Sequence, residues 1–120
     1  MTANPISVKN KIFLIEYPFD DLTQYKVRPV VCLTNPVTDF NQIVIAFITS
    51  KIPAAPEKSD VILDDADPEF SKTGLKQKSI IRVHRLFTVP ERAILAELGF
   101  IEKATHLRIK KALIDLFSLQ

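Results

Sequence analysis

Between residues 11 and 84 the chain carries five strand-length runs of β-branched and aromatic residues, with nothing of helical period between them. These runs are Lys11–Tyr17 (KIFLIEY), Arg28–Thr34 (RPVVCLT), Gln42–Ser50 (QIVIAFITS), Ser59–Leu63 and Ser79–His84. Pro18 stops the first run and Asn35-Pro36 ends the second by turn chemistry, while Pro29 is tolerable only near the second strand's start. A parallel sheet needs a crossover helix between successive strands. The segments between these runs are polar loops instead, Asp20–Lys26 having the composition of a hairpin loop. Sequential antiparallel strands, closed into a small barrel that protects their edges, fit this pattern. At 120 residues the expectation is one domain over 1–120, burying roughly two-thirds of its unfolded surface.

Two helices are expected after the strands. Thr88-Val89-Pro90-Glu91 has the form of a capping box with proline in the first turn, and RAILAEL follows it, stopped by Gly99. A second helix is predicted from about Thr105 to Ser118. There Ile109, Ala112, Leu113, Leu116 and Phe117 fall on one apolar stripe, with Lys103, Arg108, Lys110 and Lys111 mostly off it. The fold class is therefore mainly β with helices: an antiparallel barrel carrying a C-terminal helix.

Composition removes several kinds of chemistry. The two glycines, Gly74 and Gly99, are far apart, whereas a phosphate-cradling loop or a dinucleotide fingerprint needs them clustered. One cysteine and two histidines cannot build a zinc cage, and H-E-x-x-H and G-x-S-x-G are both absent. Asp64, Asp65, Asp67 and Glu69 do not match a calcium loop, because Phe70 and Lys76 stand where its glycine and terminal glutamate belong. A solvated acidic loop is the expectation there. No metal or cofactor is expected. The longest apolar run, Ile43–Ile48, is far short of a membrane span. The N-terminal stretch MTANPISVKNK has no apolar signal core, and the lone Cys32 suits a reducing compartment, so the expected location is the cytoplasm.

The net charge of +2 names no partner, but its distribution is polarised. Glu57–Glu69 holds six acidic residues against Lys58, and Lys72–Arg92 holds six basic residues against Glu91. Such a chain can present a basic face to phosphate, or simply two solvated loops of opposite sign. Within this pattern a few residues carry candidate chemistry. Arg28, where a polar loop enters a strand, can aim its guanidinium fork at an oxyanion, or be a surface arginine at a strand mouth. Thr49 and Ser50 close the most apolar strand, where two hydroxyls can donate to phosphate or merely terminate the strand. Arg82 and His84 alternate onto one strand face about 7 Å apart. Histidine there can exchange a proton beside a fixed positive charge, or be a structural residue on a half-buried face. His106, alone at a helix start, reads as a surface residue. Arginines, hydroxyls and a histidine suit attack of a ribose 2′-OH on the adjacent phosphate, a reaction that needs an acid, a base and fixed positive charge.

At this point the residues resemble a known family, the MazF/PemK (Kid) toxins of bacterial toxin–antitoxin modules. The matching stretches are Ile12–Asp21 (IFLIEYPFDD), Lys26–Asn35 (KVRPVVCLTN), Ile43–Lys51 (IVIAFITSK), Thr73–Arg92 (TGLKQKSIIRVHRLFTVPER) and Leu98–Ile101 (LGFI), in family order. The resemblance implies an SH3-like, CcdB/PemK-like small barrel, a homodimer, and metal-independent, sequence-selective cleavage of single-stranded RNA. It also implies neutralisation by a cognate antitoxin, with operator DNA met only by the toxin–antitoxin complex. By position Arg28 matches the family's catalytic arginine, Thr49 its catalytic threonine, Ser50 the serine often following it, and Arg82 a second arginine for acid/base or phosphate work. His84 stands where the family often has aspartate, and Asn10 where a glycine usually opens the first strand; asparagine tolerates positive φ better than most residues. Lys76, Lys78 and Arg85 are expected RNA-backbone contacts by charge, and loops such as Asp20–Lys26 and Lys51–Lys58 are expected to set selectivity. Two other readings share the fold: a catalytically inert module that binds RNA or antitoxin, and a CcdB-like gyrase poison. The latter family acts through C-terminal residues that include a tryptophan, which this chain lacks.

Overall fold

In the computed structural model, residues 7–17 and 26–119 are described. Six strands and one helix follow in order: β1 (Lys11–Tyr17), β2 (Lys26–Cys32), β3 (Gln42–Thr49), β4 (Asp60–Leu63), β5 (Ser79–Pro90), β6 (Ile94–Phe100) and α1 (Lys103–Leu116). All pairings are antiparallel, in the spatial order β4-β5-β3-β2-β1-β6. Among the described residues no ladder joins β4 to β6, so the expected barrel is an open six-stranded sheet carrying the C-terminal helix. Apart from Lys26, the expected loop Asp20–Lys26 lies outside the described residues. No helix among the described residues is long and apolar enough to cross a membrane.

The continuous apolar run of β3 follows from burial on both faces, since successive strand side chains point to opposite sides. Ile43, Ile45 and Phe47 join one core with Phe13, Ile15, Val30, Cys32 and Val89. Ala46 and Ile48 join a second with Ile12, Val31, Val61, Ile81 and Val83. α1 closes this second core with Ile109 and Ala112, and Arg108 Nη2 donates to the Ile62 carbonyl of β4 at 2.7 Å. Of the predicted stripe, Leu113 packs partly against the core, while Leu116 and Phe117 are exposed. Cys32 is fully buried and its Sγ donates to the Thr34 carbonyl at 3.0 Å; burial pushes its thiol pKa up.

The helix expected after Thr88 does not form. Thr88–Pro90 completes β5, Glu91–Ala93 is a 3-10 turn, and Ile94–Phe100 is the edge strand β6, with Gly99 inside it rather than ending a helix. Two register shifts against β1, which skip Leu98 and Leu95, explain why the segment does not read as a strand. Each inserted residue resets the two-residue alternation, and what remains is Ala, Leu and Glu at helix-like spacing.

Both glycines serve one contact. Gly74, at φ 73, ends the Phe70–Thr73 turn, where a Cβ would run into the Leu98 carbonyl of β6. A Cβ on Gly99 would run into the Lys72 carbonyl from the other side. Asn10 adopts positive φ, at 72°, with its N–H donating to the Cys32 carbonyl at 2.8 Å. His106, expected to be a surface residue, is partly buried with Nδ1 2.8 Å from Asn10 Oδ1, so it pins that turn.

Candidate functional site

The site grows from the ends of β2 and β3. Val30 faces Phe47 in their ladder, and continuing the antiparallel register by two residues brings Arg28 beside Thr49. Both side chains line two adjoining clefts. One, of about 250 Å³, is bounded by Arg28, Phe47, Ile48, Thr49, Lys51, Arg82 and Arg85. The other, of about 160 Å³, adds Pro29, Ser50, Leu75, Lys76, Gln77 and Ser79. The Thr49 hydroxyl accepts the Lys51 N–H at 3.1 Å, which orients its oxygen and leaves its proton to donate outward. Ser50 is exposed at the rim.

A distortion of β5 brings the remaining cations in. Phe47 faces Arg82, yet the next β3 residue, Ala46, faces Leu86. Val83, His84 and Arg85 are therefore looped out of the β3 ladder, a bulge of the kind that re-aims side chains. Arg85 turns over the Phe47 ring with its guanidinium carbon 5.4 Å from the ring centroid, and Phe87 meets Phe47 edge-on at 4.8 Å.

Arg82 and His84 keep the common face expected of them, and what they share is Asp60. Arg82 Nε donates to Asp60 Oδ1 at 3.1 Å, and His84 Nδ1 lies 3.8 Å from the same oxygen and 3.4 Å from Ser59 Oγ. His84 does not line either cleft. It borders a separate groove of about 460 Å³ between the loop Glu57–Ser59 and Ala112, Asp115 and Leu116 of α1. Lys78 is exposed and lines neither cleft.

The cations of the chain thus divide. Arg28 and Lys51 have no acidic partner among the described residues, and Arg82 has one. Lys72, counted in the basic segment Lys72–Arg92 by sequence, is held instead by Glu102 and Glu69, each at 2.7 Å. The hydrogen bonds that Lys72 donates to Glu102 and Glu69 raise its pKa, and Lys72 in turn holds the Glu102 carboxyl low. The acidic loop is solvated as expected: Asp64 and Asp67 accept N–H groups of their own turns from Ala66 and Glu69. Among the described residues no three His, Cys, Asp or Glu side chains come together as a metal site.

Sequence reasoning placed Asp60 on the strand Ser59–Leu63 and counted it in the acidic run Glu57–Glu69, but nothing local pairs it with Arg82. Its signal is the cross-strand register, in which Asp60 directly faces Arg82.

The model of the PemK-like, MazF-like toxin of type II toxin-antitoxin system matches residues 9–117. The chain belongs to this family. Among curated proteins none matches the sequence. Of solved structures, a Mycobacterium tuberculosis toxin, MazF-mt6, superposes with a TM-score of 0.70 at 20% identity, over 92% of this chain and 98% of that one. An endoribonuclease in complex with its cognate antitoxin, from a Mycobacterial species, gives 0.70 at 15% identity, over 98% of each chain. MazF of the Deinococcus radiodurans MazE-MazF complex gives 0.67 at 12% identity, over 98% of this chain and 100% of that one. At these identities the likeness is one of fold, and it confirms the small β architecture with its terminal helix for this toxin-family chain.

Proposed function

We propose that this toxin-family protein is an endoribonuclease that cuts single-stranded RNA without a metal, by attack of a ribose 2′-OH on the adjacent phosphate. The observation that carries the reading is the convergence of Arg28, Thr49 and Arg82 on one cationic cleft at the end of β2 and β3. Family membership and the neighbours described as endoribonucleases support it.

In this reading Arg28 binds the non-bridging oxygens and stabilises the dianionic phosphorane, whose added charge forms only as the reaction proceeds. Thr49, its oxygen fixed by the Lys51 N–H, donates its proton to the same phosphate, with Ser50 beside it. Arg82 supplies the second cation; water takes the 2′-OH proton as the O2′–P bond forms, and the 5′-oxygen leaves with a proton from water as the P–O5′ bond breaks, since a guanidinium stays protonated. His84 shares Asp60 with Arg82 and faces another groove, so its contribution runs through the charge of that pair rather than through phosphate contact. Lys76 and Arg85 flank the path of the RNA backbone, with Lys78 further out. The chain acts as one domain over 1–120, as a homodimer, in the cytoplasm, and a cognate antitoxin neutralises it. Operator DNA is met only by the complex of the two.

One observation favours a second reading. Because His84 stands outside the cleft, an inert RNA-binding or antitoxin-binding module would also show a cationic groove without a complete proton relay.

Incubation of a long single-stranded RNA in EDTA with wild type, Arg28→Ala and Thr49→Ala separates the two. Fragments ending in 2′,3′-cyclic phosphate from the wild type, with both variants silent, support the nuclease. RNA that is bound but intact with all three supports the inert module.

A further inference from the structure

We propose that Asp60 is the positioning residue for Arg82, holding its guanidinium at the angle from which it meets the phosphate. The inference deepens the nuclease reading and rests on it.

Asp60 opens β4 and faces Arg82 directly across the ladder, so the two side chains share one sheet face. Its carboxylate has no exposed surface, whereas the Arg82 side chain keeps about a quarter of its own. Both carboxylate oxygens are occupied. Oδ2 accepts the Glu57 N–H at 2.7 Å, and the Asp60 N–H donates back to the Glu57 carbonyl at 3.0 Å, so the carboxylate is locked to its own loop. Oδ1 accepts Arg82 Nε at 3.1 Å.

The choice of nitrogen is the informative point. Arginine–carboxylate pairs are frequently two-pronged, with two parallel N–H···O bonds to both oxygens. Here Asp60 takes the stem nitrogen with a single oxygen, which leaves the terminal nitrogens outside this bond, and Arg82 lines the cleft together with Arg28, Thr49 and Lys51. Asp60 itself lines neither cleft, so it reaches the phosphate only through Arg82. An arginine that would otherwise wander among rotamers is thereby presented in one orientation, as charge stabilisation in a transition state requires.

Asp60→Asn keeps the shape but offers one acceptor oxygen for two donors, so either the loop or the guanidinium loses its hold. It also removes a negative charge beside a cationic cleft, which does not weaken attraction for phosphate. A positioning role therefore predicts a kcat lowered about 10- to 100-fold with a KM that does not rise. It also predicts that Asp60→Asn combined with Arg82→Ala is no slower than Arg82→Ala alone. Arg82→Lys, which keeps the charge and leaves Asp60 intact but has no Nε–H to seat, is expected to lose kcat by a similar factor. That variant decides the matter if Asp60→Asn does not melt cooperatively.

The test is steady-state cleavage of one single-stranded RNA in EDTA by these variants, beside wild type and Arg28→Ala, with thermal melts. A wild-type kcat in folded Asp60→Asn or in Arg82→Lys overturns the proposal alone, as does a double variant slower than Arg82→Ala by the full Asp60→Asn factor. A wild type that leaves the RNA intact removes the nuclease reading and the proposal together.

Discussion

Two groups of cations lie on this molecule, and their surroundings differ. Lys72 sits on the Phe70–Thr73 turn between two carboxylates and is committed to them. Arg28, Lys51, Arg82 and Arg85 ring a cleft, and the carboxylate that Arg82 meets, Asp60, lies outside the lining of that cleft. By residue count along the chain, Lys72 and Arg82 belong to the same basic segment. Three-dimensional pairing decides which of them is available to a phosphate. A window of charge along a sequence measures potential supply, whereas the register of β4 on β5 determines where that charge is presented.

The sharpest way to break this contrast is to empty the cleft. Arg28→Ala is expected to lower kcat by about 10²–10³-fold, the scale of losing one oxyanion donor, with little change in melting temperature because Arg28 pairs with nothing among the described residues. Single-turnover cleavage in EDTA reads the first and calorimetry the second.

Next comes the frame on the other side. Gly74→Ala places a Cβ at φ 73 against the Leu98 carbonyl, so it is expected to cost at least the ~1–2 kcal/mol of a left-handed residue. Urea titration should show the lost stability.

A smaller effect belongs to Arg85. Its removal should weaken RNA binding across sequences and reduce the slope of log affinity against log salt by about 1. Fluorescence anisotropy over a salt series measures this.

The smallest effect is expected at Lys72. The raised Lys72 and lowered Glu102 pKa values have opposite stability consequences with pH. The lysine's contribution is full below its unfolded value and lost as pH rises through the folded one. The glutamate's is present above its unfolded value and lost as pH falls through the folded one. Both ions are thus in place across the neutral range, yet the pair is solvated and screened. Lys72→Ala should leave RNA cleavage and its salt slope unchanged, in contrast to every cation of the cleft.

What could be read from the chain follows the regularity of each element. β1 to β4 and the first half of β5 are legible because their apolar residues alternate or run without interruption. α1 is legible from the stripe through Ile109 and Ala112. β6 was hidden because its two bulges erase the alternation, leaving a capping-box pattern in front of Ala-Leu-Glu text that reads as helix. Arg28 and Thr49 stood out as polar residues at strand ends, which is where the structure opens its clefts. Arg82 with His84 followed from alternation on one strand. Asp60 was out of reach because its meaning comes from a neighbour 22 residues away. His84 was legible as a partner of Arg82, but its outlook onto α1 depends on the three-residue bulge at Val83–Arg85, which no local pattern announces.

On the proposed reading, RNA meets the cleft of Arg28, Thr49 and Arg82 and not the Lys72 turn. An NMR titration of the labelled protein with a mixed-sequence, fully 2′-O-methylated single-stranded RNA tests it, because that RNA can bind but offers no 2′-OH to attack. Shifts are expected to concentrate at Arg28, Thr49, Ser50, Lys51, Arg82 and Arg85, with Lys72 and Glu102 unmoved. Shifts centred on the Phe70–Thr73 turn, or none at the end of β2 and β3, would contradict it.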